Sequence, residues 1–331
     1  MPASSPEDYI LGYSQSEAER LDAQHMVCRR VNGDHAISPL LQTAVAAGEI
    51  KRVLDLGCGT GIWCHEAANE LKASGIPTVT AVGLDIAQND HWTKFASLDF
   101  KDLSSTIIFG LADLNDDVQM MAILEKYGGT FDLVHAANLV SAVKKGKWPT
   151  LLERVFKLVR PGGYIQFAEF DTMDIYSNCI DPVGGEMLAI FHSAYNSLGL
   201  DVLCATEMAK RLANAGFSKI SDNTLQIEPA WRDSKGVIQI DRVAVEWLVG
   251  MFRILRPLFL QVRQRPDYAT LLETLPQWVH ERTPGQKVEQ LLVTEEQYDD
   301  AVRHAVELVT STSEIHHVDP LLHVIVAQRP S

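Results

Sequence analysis

Three glycines in five positions, Gly57, Gly59 and Gly61, lie between the apolar run "VLDL" and a stretch of helical periodicity. Where a strand turns into a helix, missing side chains let backbone N–H groups approach a ligand closely. A dinucleotide fingerprint sets its third glycine one residue later, as G-x-G-x-x-G, and seats a pyrophosphate at the helix N-terminus. Here the spacing is G-x-G-x-G, with Cys58 inside the turn. The nearby acids separate the readings. Asp55, two residues before Gly57, suits an ammonium group and repels a pyrophosphate. Asp85 ends the run "TVTAVGLD", where a carboxylate accepts from both ribose hydroxyls. Asp113 ends "TIIFGLAD", where it accepts from an exocyclic amine such as adenine N6.

An amine, a ribose and an adenine without phosphate describe S-adenosylmethionine, which leaves S-adenosylhomocysteine once its methyl is transferred. A sulfonium methyl is already electrophilic, so the chemistry requires no metal. Holding an acceptor in line with the S–CH3 bond contributes roughly 7 to 11 kcal/mol. A hydroxyl acceptor gains a further factor of about 10² to 10⁴ from a placed base. The candidates are His25, His135 and Glu169. His135 lies within an apolar strand and also reads as a satisfied core histidine; His25 also reads as a packed or solvent-facing helix residue. His316-His317 has no third ligand at helical spacing and reads as a loop, so no metal site is expected.

These residues need a scaffold. Apolar runs at 52–57, 78–85, 106–113, 131–137 and 164–170 alternate with amphipathic stretches, the mark of a parallel sheet covered by helices. Ser14 and Glu17 form a capping-box pattern that opens a helix through "SEAERLDAQHMVCRR", which Asn32-Gly33-Asp34 stops. "PTLLERVFKLV" predicts a helix ending at Arg160-Pro161-Gly162-Gly163. Beyond 171 the pattern is mostly helical, with helices at "GEMLAIFHSAYNSL" and at "TEMAKRLANAGF", the latter with Thr206 as N-cap and Gly216 at its end. Strands at 219–228 and 321–329 could pair antiparallel, the helices between them forming a cap. Its Trp231, Trp247, Phe252, Phe259, Tyr268 and Trp278 either line a pocket for an apolar or aromatic acceptor or pack a helical layer.

The ordered set "VLDLGCGTG", "VGLDIAQ", "GLADL", "FDLVHAANLV" and "LVRPGGYIQFAEF" resembles the class I methyltransferases. With "SEAERLDAQHMVCRRVNGDHAISPL" ahead of it, the chain resembles the LaeA-like methyltransferases of filamentous fungi, which are linked to secondary metabolism, over residues 10 to 175. The resemblance implies a Rossmann-like α/β fold: a seven-stranded sheet of order 3-2-1-4-5-7-6 with strand 7 antiparallel, helices on both faces and a helical cap. It divides the chain into a lid segment (1–45), a cofactor-binding core (46–171) and a cap with the last two strands (172–331). It implies that Gly57, Gly59, Gly61 and the backbone near Ala137 and Asn138 line the methionine part, that Asp85 and Asp113 take ribose and base, and that Ile86 and Leu114 form apolar walls. Glu169 sits where acceptor groups meet the cofactor in this fold. Ala137 departs from the arginine many relatives carry there.

Composition narrows the partners. With 29 Lys and Arg against 43 Asp and Glu, the net charge of −14 argues against nucleic acid, whose backbone is met by clustered cations; Lys144-Lys145-Gly146-Lys147 reads as a solvated loop. Five cysteines without CxxC spacing suggest neither a disulfide framework nor zinc. Neither a signal-peptide pattern nor a long apolar run is present, which points to a soluble, cytoplasmic protein. The leading expectation is O-methylation of a small secondary metabolite. Two others stand beside it: a nuclear regulator acting through protein partners, and a cyclase of this fold that binds the cofactor without methylating. A homodimer is compatible with all three.

Overall fold

Arg52–Leu56 is buried at each position after Arg52, and Phe131–Ala137 is buried at five of its seven positions. Strands covered on both faces lose polar alternation in this way. The computed structural model describes residues 15–96, 105–171, 192, 195–228, 230–235, 237–264, 266, 270, 294–310 and 320–331. Its strands are β1 Arg52–Leu56, β2 Thr80–Asp85, β3 Thr106–Leu111, β4 Phe131–Ala137, β5 Val159–Phe170, β6 Ser218–Gln226, β7 Ala230–Arg232, β8 Ile238–Ile240 and β9 Leu321–Gln328. Its helices are α1 Gln15–Val31, α2 Gln42–Ala46, α3 Ile62–Ala73, α4 His91–Ala96, α5 Asp117–Tyr127, α6 Trp148–Leu158, α7 Cys204–Asn214, α8 Arg242–Arg263 and α9 Glu295–Thr310.

Seven strands form one sheet in the order β3-β2-β1-β4-β5-β9-β6. Neighbours from β3 to β5 are parallel, with Asp55 opposite both Gly83 of β2 and His135 of β4. The last strand of the chain, β9, runs against β5: Gly162 N–H donates to Arg329 and Asp171 N–H to Leu321. With β9 as its seventh strand, this is the expected class I order, and it puts the reversal of strand order between the parallel strands β1 and β4, where such sheets bind ligands.

The chain divides into two compact units. One comprises residues 1–169, 204–225 and 322–331 and carries the sheet; the other comprises 170–203 and 226–321. In the first, Val53, Ala81, Ile107 and Leu133 bury one sheet face with Trp63, Ala67 and Leu71 of α3 and Val45 of α2. In the second, Phe170 stacks on Trp247, and Arg256 of α8 pairs with Glu295 and Asp299 of α9. Among the described residues no helix is long and apolar enough to cross a membrane.

Local signals set several boundaries. Asp116 caps α5 by accepting from Val118 and Gln119 N–H, and Gly33 and Asp34, both at positive φ, end α1. Several elements differ from expectation: β2 begins at Thr80 rather than 78, β3 stops at Leu111 rather than 113, and β6 runs Ser218–Gln226 rather than 219–228. β5 begins at Val159 and absorbs Pro161-Gly162-Gly163 because β9 pairs with that stretch. α7 begins at Cys204, so Thr206 lies inside its first turn rather than at its cap. Between β6 and α8 a hairpin, β7–β8, closes on Asp233, whose Oδ1 accepts from Lys235 and Val237. The Ser14 cap, Cys179, Tyr268, Trp278, His316-His317 and most of the helix expected over 185–198 lie outside the described residues, as do the side chains of Trp231, Phe252 and Phe259.

Candidate cofactor and acceptor site

The loop after β1 folds back on β2: Gly57 and Cys58 N–H both donate to the Leu84 carbonyl. Two of its glycines are obligatory. Gly57 has φ +72° and Gly61 φ +84°, and a Cβ at either would stand 2.6 Å from a carbon of Leu139 or of the Phe109 ring, closer than any real contact. Asp85, ending β2, accepts the Gly59 N–H at 2.7 Å through Oδ2 and the Ala87 N–H at 3.3 Å through Oδ1. Burial raises its carboxyl above the ordinary value against the pull of those N–H groups. Trp92 of α4 donates to the Gly59 carbonyl and stacks on Phe109. Ile86, half-buried, follows Asp85.

Beyond β3, Asp113 and Leu114 are buried. Asp113 Oδ1 accepts from the backbone and side-chain amides of Asn115 at 2.8 and 3.2 Å. Asn115 in turn donates to Ala142 and accepts from Lys144 N–H, which ties this loop to the one after β4. Asp113 Oδ2 is buried and has no hydrogen-bond partner among the described residues. A buried acceptor left open costs about 1 to 3 kcal/mol, and an exocyclic amine is the donor that would complete it.

At the end of β4, Asn138 adopts left-handed backbone angles, φ 56° and ψ 40°. Its N–H donates to Ala168, and the next N–H, of Leu139, donates to Glu169 Oε2 at 2.7 Å. Glu169 is fully buried. The Asn138 side chain bonds the Cys28 thiol, while its Oδ1 is buried and has no hydrogen-bond partner among the described residues. Deeper in the strand, His135 Nδ1 lies 2.7 Å from Asp55 Oδ1, and its ring stacks on Trp63 at 4.0 Å between centroids. Thus Asp55 and His135 pair between adjacent strands, and Asn138 and Glu169 lie at the carboxyl ends of β4 and β5.

α1 lies against the same region. A Cβ on Gly59 would be 3.2 Å from Leu21, Asp22 accepts from the Thr60 hydroxyl at 2.6 Å, and His25 Nε2 lies 2.7 Å from Glu66 Oε2. Arg29 donates to the other Glu66 oxygen at 2.9 Å. Burial opposes ionisation of Glu66, yet the bonds and charges of His25 and Arg29 hold its carboxyl below the usual value. One turn on, Glu70 accepts from His35, Ala36, Ile37 and Gln42. Sequence reasoning missed Glu66 and Glu70; two acids four residues apart on a helix that must pack were the available signal. Burial pushes the Cys28 thiol up to about 12 and the Cys58 and Cys64 thiols well above their ordinary range.

Residues 29–222, more than half of the chain, match the family described as "Methyltransferase domain". The chain belongs to the methyltransferase-domain family. It is 30% identical over 175 residues to methyltransferase grgD of a Penicillium species, covering 52% of this chain and 56% of that one. It is 29% identical over 182 residues to the secondary metabolism regulator laeA of Coprinopsis cinerea, covering 51% and 40%. It is 29% identical over 171 residues to methyltransferase str3 of Strobilurus tenacellus, covering 51% and 50%. This methyltransferase chain spans about half the length of these curated relatives. The cofactor of the family is S-adenosylmethionine, and the glycine turn, Asp85 and the open buried acceptor of Asp113 fit its parts.

Proposed function

We propose that this chain is an S-adenosylmethionine-dependent methyltransferase that methylates a small-molecule acceptor of secondary metabolism at oxygen. The observation that carries the reading is the buried Asp113 oxygen just beyond β3, which has no hydrogen-bond partner among the described residues, with the glycine turn held by Asp85. That trio supports an adenosine site without a phosphate. In it Asp113 accepts from the adenine amine, Asp85 exchanges its Gly59 bond for the ribose hydroxyls, and Ile86 and Leu114 flank the base. Gly57, Cys58, Gly59 and Gly61 line the methionine part with Asn138, whose open Oδ1 is an acceptor for its ammonium group; Asp55 adds negative charge nearby.

When bound, S-adenosylmethionine supplies an electrophilic methyl on a sulfonium. The chain's residues then orient an acceptor and receive its proton. Of the three candidate bases, His135 is engaged by Asp55 and Trp63, and Glu169 by the Leu139 N–H. His25 suits the role best: its Nδ1 has no hydrogen-bond partner among the described residues, and its side chain is more exposed than that of His135, 13% against 5%. The similarity to regulators named laeA favours a second reading, in which the acceptor belongs to a protein partner.

Titration calorimetry with S-adenosylmethionine and S-adenosylhomocysteine tests the cofactor site. Mass spectrometry of a fungal metabolite extract incubated with the protein and methyl-labelled cofactor tests the acceptor. Binding with a labelled small molecule is the expected result. Binding with label only on protein favours the second reading, and no binding overturns both.

A further inference from the structure

Leu21, His25 and Cys28 of α1 are spaced i, i+4, i+7 and so share one stripe of the helix. Leu21 lies against Gly59, and the Cys28 thiol bonds the Asn138 side chain. The stripe therefore runs from the glycine turn to the carboxyl end of β4, the line along which the methionine part of the cofactor is proposed to lie. His25 is its middle member. Its side chain keeps 13% exposure, and while Nε2 faces Glu66, Nδ1 has no hydrogen-bond partner among the described residues. Arg29 occupies the second Glu66 oxygen, which stops that carboxylate from turning away.

We infer that Glu66, pinned by Arg29, is a positioning residue that fixes His25 in the tautomer whose Nδ1 takes the proton of an acceptor hydroxyl; the assignment rests on the function proposed above. A carboxylate only accepts, so in the neutral ring Nε2 carries the hydrogen and the lone pair is on Nδ1. As the acceptor oxygen bonds the methyl carbon and sulfur keeps the old C–S pair, the hydroxyl proton passes to Nδ1. The imidazolium so formed is balanced by Glu66 and later loses its proton to solvent. Among the described residues, the other charged or titratable groups near this pair include Arg29 and His65 beside Glu66, Asp22 one turn back on α1 with His91 of α4 against it, and Glu169 beyond Cys28.

Two measurements test this. In histidine-¹⁵N NMR of the full chain, with His25→Asn to assign the signal, neutral His25 should be a single Nε2–H tautomer, and Glu66→Gln should give a mixture. A wild-type Nδ1–H tautomer, or no change in Glu66→Gln, overturns the assignment. In the second, transfer from methyl-labelled S-adenosylmethionine is followed to a panel of phenols and to a thiophenol, which ionises without help. Glu66→Gln should lower kcat for a phenol about ten- to a hundredfold, within the range a placed base supplies. It should leave the cofactor KM within about twofold and the thiophenol rate nearly intact. The acid limb of its pH profile should move to lower pH, because a neutral amide no longer stabilises the imidazolium. A wild type that methylates a phenol, joined by a Glu66→Gln variant of equal rate and profile, removes the dyad alone. A wild type that neither binds S-adenosylhomocysteine nor labels any acceptor removes the proposed function and the proton-accepting role together.

Discussion

Asp55 Oδ1 and His135 Nδ1 meet at 2.7 Å from directly opposed positions of neighbouring strands, beneath the ring of Trp63. Both side chains are nearly fully buried, so the pair belongs to the core that holds the glycine turn level. Removing one partner strands the other in an apolar setting. His135→Ala should cost about 3 to 5 kcal/mol in urea unfolding. His135→Gln, which can still bond Asp55, should cost about 1 to 3 kcal/mol.

Glu169 separates a backbone clamp from a base. Its Oε2 holds the Leu139 N–H and so steadies the left-handed Asn138 before it. Glu169→Gln keeps an acceptor in that place and should retain most turnover. Glu169→Ala should lose about 1 to 3 kcal/mol of stability together with cofactor affinity, as read by chemical unfolding and calorimetry.

Asp113→Asn keeps the Asn115 bonds through its carbonyl but turns an NH2 toward the place of the adenine amine. Two donors then face each other. S-adenosylhomocysteine should bind more weakly by about 1.5 to 3 kcal/mol, the worth of a hydrogen bond to a charged group, and calorimetry reads it directly.

Asp85 supplies a pH dependence. Burial raises its carboxyl, so on acidification it takes up a proton earlier than an ordinary aspartate and loses an acceptor for ribose. Affinity for S-adenosylhomocysteine should therefore begin to fall above the usual aspartate range. The sign for stability is the opposite: a raised carboxyl costs the fold stability as pH climbs from the ordinary aspartate value to its own folded value, and the cost is complete above that. Asp85→Asn should flatten the acid limb of the binding curve.

Gly61→Ala tests the turn. The new Cβ meets the Phe109 ring at a φ that L residues avoid, so at least about 1 kcal/mol of backbone strain adds to a clash. Thermal stability should drop, and calorimetric binding should be lost while Gly75→Ala, where a Cβ meets nothing within 4 Å, keeps binding.

The parallel half of the sheet was legible because each strand is a short apolar run with a local stop, and β4 matches the expected 131–137 at both ends. Asp85 at the end of β2 was legible for the same reason, whereas Asp113, expected to end the third strand, lies two residues past β3. What escaped depends on partners far away in the chain. Arg160-Pro161-Gly162-Gly163 reads as a turn until Arg329 pairs with Gly162 and Gly163. His135 reads equally as base or core until Asp55, eighty residues earlier, is found beside it. For Glu66 the only local signal was its spacing from Glu70, since its partners come from a helix whose docking no periodicity announces. The β7–β8 hairpin had a local cue in Asp233, hidden by the helical character of its surroundings.

The thiols of Cys28, Cys58 and Cys64 have a use beyond packing. Burial disfavours the thiolate at each, which slows alkylation; Cys58 and Cys64 are buried and Cys28 partly so. Cys28 rides on α1, whereas Cys58 and Cys64 are anchored in the turn after β1 and in α3. Their alkylation rates are therefore separate clocks: one runs when α1 lifts, and the other two run only when the sheet itself comes apart.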